Sequence, residues 1–298
     1  MNVKVKQQFL AILVTLGVIG TAGAQSYSVR YLDLKGTRLN EPAVWNVGSD
    51  SVYEIFTTDF SGNVVCYRAD TLDVVWTKKL GNDSLTAPVV GDFLQMGAPV
   101  LAFGSALGTV YFVWPGSGEV ISSIKTDLSY VLPPAVAARA SGDEVVFADD
   151  KGFVAGFKVD PATGGAVESF RVENTAGDNT AFSVIGQMSG APSCADLDGD
   201  GGPEVILASE TGFLQVLSLS ADGSGEPRRF HTRLTQNTRV TTLAGVGDFL
   251  GQGAAMFGFG VGTTLQFFNW TPSAEARNAI SPALQAPGYG NTHGHLLA

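Results

Sequence analysis

Short apolar runs, separated by glycine, proline and aspartate, fill the chain from about residue 41 to residue 281. Within each run apolar and polar side chains alternate with the two-residue period of strands rather than the 3.6-residue period of helices. Ala87 to Asp92, Pro99 to Gly104, Thr109 to Trp114 and Glu119 to Lys125 read as four consecutive strands. The turns between them fall at Gly97, at Leu107-Gly108 and at Pro115-Gly116-Ser117-Gly118.

This unit repeats. Pro42, Pro88, Pro134 and Pro192 each open a first strand, spaced 46, 46 and 58 residues apart. Gly62, Gly108, Gly152, Gly212 and Gly262 each sit in the turn before a third strand, spaced 46, 44, 60 and 50 apart. Two independent landmarks thus agree on a period near 46, with an insertion at Asn174 to Gly190. Four short strands per unit of this length predict an all-β fold, a β-propeller of four-stranded blades. The expected blades are about 41–81, 86–127, 133–173, 190–233 and 239–281, with a partial sixth at 286–298. Ala286-Pro287 matches Ala87-Pro88, and Tyr27 to Leu34 precedes the first blade as a fourth strand should. The ends either combine into a sixth blade or belong to a fragment of a seven- or eight-bladed ring. A combined blade would lack its third strand, which favours the fragment.

Met1 to Ala24 reads as a signal peptide: Lys4 and Lys6, the apolar run Phe9 to Ile19, then Ala22-Gly23-Ala24 before the expected cleavage site. The expected repeat domain is therefore 25–298, secreted or periplasmic, and no later run is apolar enough to span a bilayer. The composition fits strands and tight turns: 37 glycines and only 15% charged residues. A net charge of −10 argues against nucleic acid and anionic membranes as partners. Cys66 and Cys194, in strand-like runs of distant units, are expected to be free thiols rather than a disulfide.

Chemistry concentrates in one stretch. Asp196, Asp198 and Asp200 occupy positions 1, 3 and 5 of a loop, Gly201 position 6, Gly202 position 7 with its carbonyl, and Glu204 position 9. That is the ligand spacing of a calcium loop, and four carboxylates so close repel one another unless a cation neutralises them. Leu207 at position 12 and the strand-like run that follows exclude an EF-hand. The alternative is an acidic, solvated hairpin. The equivalent loops at Asp92 to Gly97 and Asp248 to Gly253 keep the first aspartate and a late glycine, too few oxygens for calcium.

The run Asp196-Leu197-Asp198-Gly199-Asp200-Gly201-Gly202-Pro203-Glu204, after Ala191-Pro192 and before Val205-Ile206-Leu207-Ala208-Ser209, resembles the FG-GAP/VCBS family of calcium-binding propeller repeats. Tyr67 to Trp76 is similar to a blade end of the pyrroloquinoline-quinone-like propellers, where a turn leads into a strand carrying a docking tryptophan. These resemblances imply an extracellular interaction, adhesion or scaffold module, with metal ligands at Asp196, Asp198, Asp200, Glu204 and the Gly202 carbonyl.

The sequence offers no nucleophile elbow, zinc helix, Cys-x-x-Cys or phosphate loop, and its histidines are His231, His293 and His295. The expectation is a non-enzymatic module that binds a protein or a glycan on one propeller face, one blade stabilised by calcium. The alternatives are a propeller enzyme, either a quinone-dependent dehydrogenase or a polysaccharide lyase, and an envelope-assembly scaffold. The dehydrogenase resemblance implies an adjacent cysteine pair, which this chain lacks. Trp114 and Trp270, each closing a third strand, are expected to fill space between blades rather than to stack on sugars. His293 and His295 are expected in a tail rather than at a metal.

Overall fold

The computed structural model of the chain describes residues 39–48, 50–130, 132–149, 153–172, 190–209, 212–233, 240, 242–243, 245–249, 255–261, 264–271 and 280–287, with the backbone of the short segments 10–12, 30–32 and 294–295. Alternating runs without helix-forming stretches become antiparallel meanders, and among the described residues no helix occurs. The first sheet is Ala43–Trp45, Glu54–Thr58, Asn63–Arg68 and Val74–Lys79. The second is Val89–Gly91, Val100–Gly104, Thr109–Val113 and Val120–Lys125, each boundary within two residues of the alternation pattern. The third is Ala135–Ala137, Glu144–Ala148, Val154–Val159 and Ala166–Val172. The fourth is Ser193–Ala195, Glu204–Ala208, Phe213–Ser218 and Arg228–Arg233. The fifth is Gly245–Gly247, Met256–Val261, Thr264–Trp270 and Ile280–Pro287. In each of these five sheets the strands pair in sequence order, as short loops demand.

The core lies between sheets. Ala43, Phe56, Cys66 and Trp76 form one cross-strand row of the first sheet and pack on Leu101, Phe103 and Val113 of the second. Phe112 and Val110 of the second meet Phe147 and Phe157 of the third. Val146 and Val154 meet Val205 and Leu217 of the fourth, and Leu214 and Val216 meet Phe257 and Phe268 of the fifth. Both faces of the middle sheets are thereby buried, which explains their fully buried second strands. Trp76 ties the first two sheets: its Nε1 donates to the Pro115 carbonyl at 2.9 Å, and its ring lies under Gly118. Trp114 packs in the seam between the second and third sheets, and Trp270 edge-on against Phe230 at 4.7 Å between the fourth and fifth. Both thus fill inter-sheet space.

First strands of all five sheets line a common axial cavity of about 680 Å³. Pro42, Pro88, Pro134 and Pro192 face it, each just ahead of a first strand, where a missing N–H leaves no orphan ladder donor on the sheet edge. The glycine landmark has an equally local cause. Gly108 has φ +85°, and a Cβ there would stand 2.1 Å from the Leu128 carbonyl oxygen.

The chain ends depart from the expected layout. Ala286 and Pro287 do not open a sixth blade; they finish the eight-residue outer strand of the fifth sheet, paired through to Thr264. The strand continues past residue 281 across a register shift, Phe268 pairing with Pro282 and Phe267 with Leu284. Gly294–His295 pairs in parallel with Thr242–Leu243. Arg30–Leu32 pairs with Leu10–Ile12, inside the expected leader. The rest of the leader, the insertion at 174–189, Gly262 and His293 lie outside the described residues. Cys66 and Cys194 are free, and burial pushes the Cys66 thiol up to about 12.

Candidate metal centre

The aspartate loop of the fourth sheet joins its first strand to its second. Ala195 pairs with Glu204 at the end of the ladder, so the chain must reverse within Asp196 to Pro203. Gly199 and Gly201 take left-handed φ values of +76° and +85°, which side chains with a Cβ rarely adopt. Asp196 holds the reversal: its Oδ1 accepts from the Gly199 amide at 2.7 Å and its Oδ2 from the Gly201 amide at 3.0 Å. Asp198 Oδ1 accepts from the Asp200 amide at 3.2 Å.

Carboxylate oxygens of Asp196, Asp198 and Glu204 lie within 4.8 Å of one another. Ligands at the usual calcium–oxygen distance of about 2.4 Å span up to about 4.8 Å across the ion, so the three can hold a metal ion. Asp200 lies outside this triad, its Oδ1 accepting from the Gly202 amide at 2.7 Å. Gly202 is buried against the next hairpin; a Cβ there would stand 2.2 Å from the Leu219 carbonyl oxygen.

Glu204 is the unusual member. It is fully buried, whereas both aspartates are exposed. Its Oε2 accepts from the Leu197 amide at 2.9 Å; its Oε1 is buried with no hydrogen-bond partner. Burial pushes this carboxyl up to about 7, the Leu197 amide and the Ser218 hydroxyl pulling it down and the Asp198 and Asp200 charges adding to the rise. Among the described residues no lysine or arginine pairs with Glu204. A buried carboxylate that lacks a cation, with an orphaned oxygen beside two exposed carboxylates, suits a hard divalent ion.

The same strand position recurs in the other sheets. Glu54 begins the second strand of the first sheet, and its Oε2 accepts from the Val47 amide at 2.9 Å, as Glu204 does from Leu197. Its cross-strand partner is Arg68. Glu144 begins the second strand of the third sheet and pairs with Arg139 at 2.9 Å and Lys158 at 3.9 Å. The residue opposite Glu204 is Ser218. In the second sheet Val100 takes this place, and Asp92 accepts from the Met96 and Gly97 amides at 2.9 and 2.8 Å much as Asp196 accepts from Gly199 and Gly201, without a buried carboxylate beside it. The sequence reading missed this family of glutamates, although each stands eight residues ahead of a turn glycine: Glu54 of Gly62, Glu144 of Gly152, Glu204 of Gly212.

No protein-family model and no curated protein matches the chain. Solved structures do. BBS1N in complex with ARL6DN aligns at 15% identity and TM-score 0.55, over 84% of this chain and 71% of that one. A chain of the Mitotic Checkpoint Complex aligns at 11% identity and TM-score 0.59, over 91% and 72%. The computationally designed Ika8 protein aligns at 12% and 0.54, over 86% and 64%. Five four-stranded meanders around one axial cavity, with these likenesses, define a β-propeller, and the sheets are its blades. Among the described residues no helix is long and apolar enough to cross a membrane.

Proposed function

We propose that this chain is an exported, non-enzymatic β-propeller that presents a face to a protein or glycan partner, its fourth blade stabilised by one calcium ion. The observation that carries the metal part is the fully buried Glu204, whose orphaned oxygen joins Asp196 and Asp198 where, among the described residues, no side-chain cation pairs with it. Calcium is the fitting ion: the donors are oxygens on a loop flexible enough for irregular coordination, and water can supply the remaining ligands. The repeat resemblance to FG-GAP/VCBS propellers supports the same ion. The ion's task is charge neutralisation in an acidic reversal, which is a structural role.

The binding part draws support from the fold and from the company similar propellers keep: one is named in complex with ARL6DN and another within a checkpoint assembly. The leader-like segment Met1 to Ala24 supports export. A non-enzymatic reading rests on the sequence, which offers no catalytic constellation.

Two measurements test this reading. Asp198→Ala should remove about 2–3 kcal/mol of stability in saturating calcium and nothing once calcium is chelated. Equal losses in both buffers would overturn the metal role. Capture from an envelope fraction, with and without chelator, should recover a partner in a calcium-dependent way. A chain that retains nothing from proteins or glycans, yet binds the quinone as a chromophore, would favour the dehydrogenase instead.

A further inference from the structure

The metal loop of the fourth blade touches a second element, and that element seals the buried ion pair of the third. Leu219 to Gly225 is the turn after the fourth blade's third strand. On one side it packs on the metal loop. The Leu219 amide donates to the Pro203 carbonyl at 3.1 Å, and Gly202 is held so near Leu219 and Ala221 that no Cβ fits. On its other side the turn closes over the third blade. A Cβ on Gly223, at φ +74°, would stand 2.8 Å from the Arg139 guanidinium. Leu219, Ser220, Gly223 and Gly225 wall a cavity of about 10 Å³ whose other side is Arg139, Glu144 and Ser169.

That cavity gathers the ion pair, in which Arg139 Nη2 meets Glu144 Oε2 at 2.9 Å, and two further buried polar atoms without hydrogen-bond partners, Arg139 Nε and Ser169 Oγ. Arg139 and Glu144 side chains are only 4% and 2% exposed, so the 2.9 Å ion pair depends on the lid above it to stay dry. The turn is stiffened from within, Asp222 Oδ1 accepting from the Ser224 amide at 2.9 Å and from its hydroxyl at 2.7 Å. A stiff turn wedged between the aspartate loop and the ion pair transmits displacement from one to the other.

We infer that metal binding in the fourth blade and closure over the Arg139–Glu144 pair of the third are one coupled event, transmitted by the Leu219–Gly225 turn. The inference rests on the metal reading above. Ordering the aspartate loop fixes Gly202 against Leu219 and Ala221; the turn then holds Gly223 against Arg139. The ion clamps the seam between two blades, not one loop alone.

Gly223→Ala tests it, because Gly223 touches no metal ligand. The intruding methyl should weaken calcium affinity roughly five-fold by titration calorimetry. Gly164→Ala is the control: φ is equally positive at +67°, but nothing lies within 4 Å of a Cβ there, so affinity should match wild type. Hydrogen exchange gives a second readout on the unaltered chain, and in the variants unchanged exchange in the first two blades certifies folding. Calcium should slow exchange at 138–148 in the third blade as well as at 196–204 and 219–225. Wild-type affinity in Gly223→Ala, or protection confined to the fourth blade, would overturn the coupling while leaving the metal intact. Absence of calcium binding by the wild-type chain would instead remove the metal reading and the coupling with it.

Discussion

Glu144 and Glu204 occupy the same place in adjacent blades, the first residue of the second strand, and both are buried. Their surroundings differ. Glu144 has Arg139 at 2.9 Å and Lys158 at 3.9 Å; its carboxyl is still raised by burial, with both cations pulling it down. Glu204 faces Ser218 and stands beside two exposed aspartates. One blade carries its counter-charge in its own sequence, and the other gathers three carboxylates that could hold an ion. Glu54, half-buried, shows a third solution: its cross-strand partner Arg68 leans to Asp70 at 3.1 Å and Asp50 at 3.5 Å in a solvated cluster. Because charge must be neutralised wherever this glutamate is buried, the acidic loop of the fourth blade reads as the replacement for a missing cation.

The largest test of that equivalence is Arg139→Met. It leaves Glu144 with only the Lys158 ammonium at 3.9 Å, so unfolding by denaturant in chelator should show a loss of about 3 kcal/mol, and a larger one in saturating calcium because the pair and the ion are coupled. A loss below about 1 kcal/mol would mean that Glu144 is neutral in the folded protein and that the two blades are not counterparts.

Much of the fold was legible because its signals are local. Strand alternation and turn glycines need only neighbours to act, so the second blade's boundaries fell within two residues of those read from the pattern. The outer strand of the fifth blade was cut short because Ala286-Pro287 imitates a blade opening, and only pairing with Thr264–Trp270 shows the run continuing. At the site, Asp196, Asp198 and Glu204 were legible from spacing, since a tight reversal brings alternate side chains together. Asp200, expected from the same spacing, lies outside the triad, with its Oδ1 accepting from the Gly202 amide. The Arg139–Glu144 pair was invisible for a different reason. It gains meaning only from burial beneath a turn of the next blade, a contact between residues some eighty positions apart in sequence.

The next test concerns pH. Without metal, burial holds the Glu204 carboxyl up at about 7, above its ordinary value near 4.5. The folded chain then keeps a proton that the unfolded chain has already lost. Stability of the chelated protein should be full below pH 4.5 and fall as pH rises from 4.5 to 7, by about 3 kcal/mol from this group. Glu204→Gln should remove that slope, and saturating calcium should mask it by favouring the carboxylate. A chelated wild type whose slope matches Glu204→Gln would show that the group ionises as readily folded as unfolded.

The smallest and sharpest test transplants one blade's solution into the other. Ser218→Lys places an ammonium across the ladder from Glu204, as Lys158 stands near Glu144. The new lysine enters a position 4% exposed, where Arg228 already donates to Ser218 at 3.2 Å. Crowding and like-charge repulsion should therefore lower stability in calcium. The informative quantity is the difference between calcium and chelator, which cancels those costs because they occur in both. If an internal cation and a bound ion do the same work, the increment from calcium should shrink by about 1 kcal/mol, read from paired denaturant curves. An unchanged increment would mean that the ion serves the exposed aspartates alone and that Glu204 is satisfied without it.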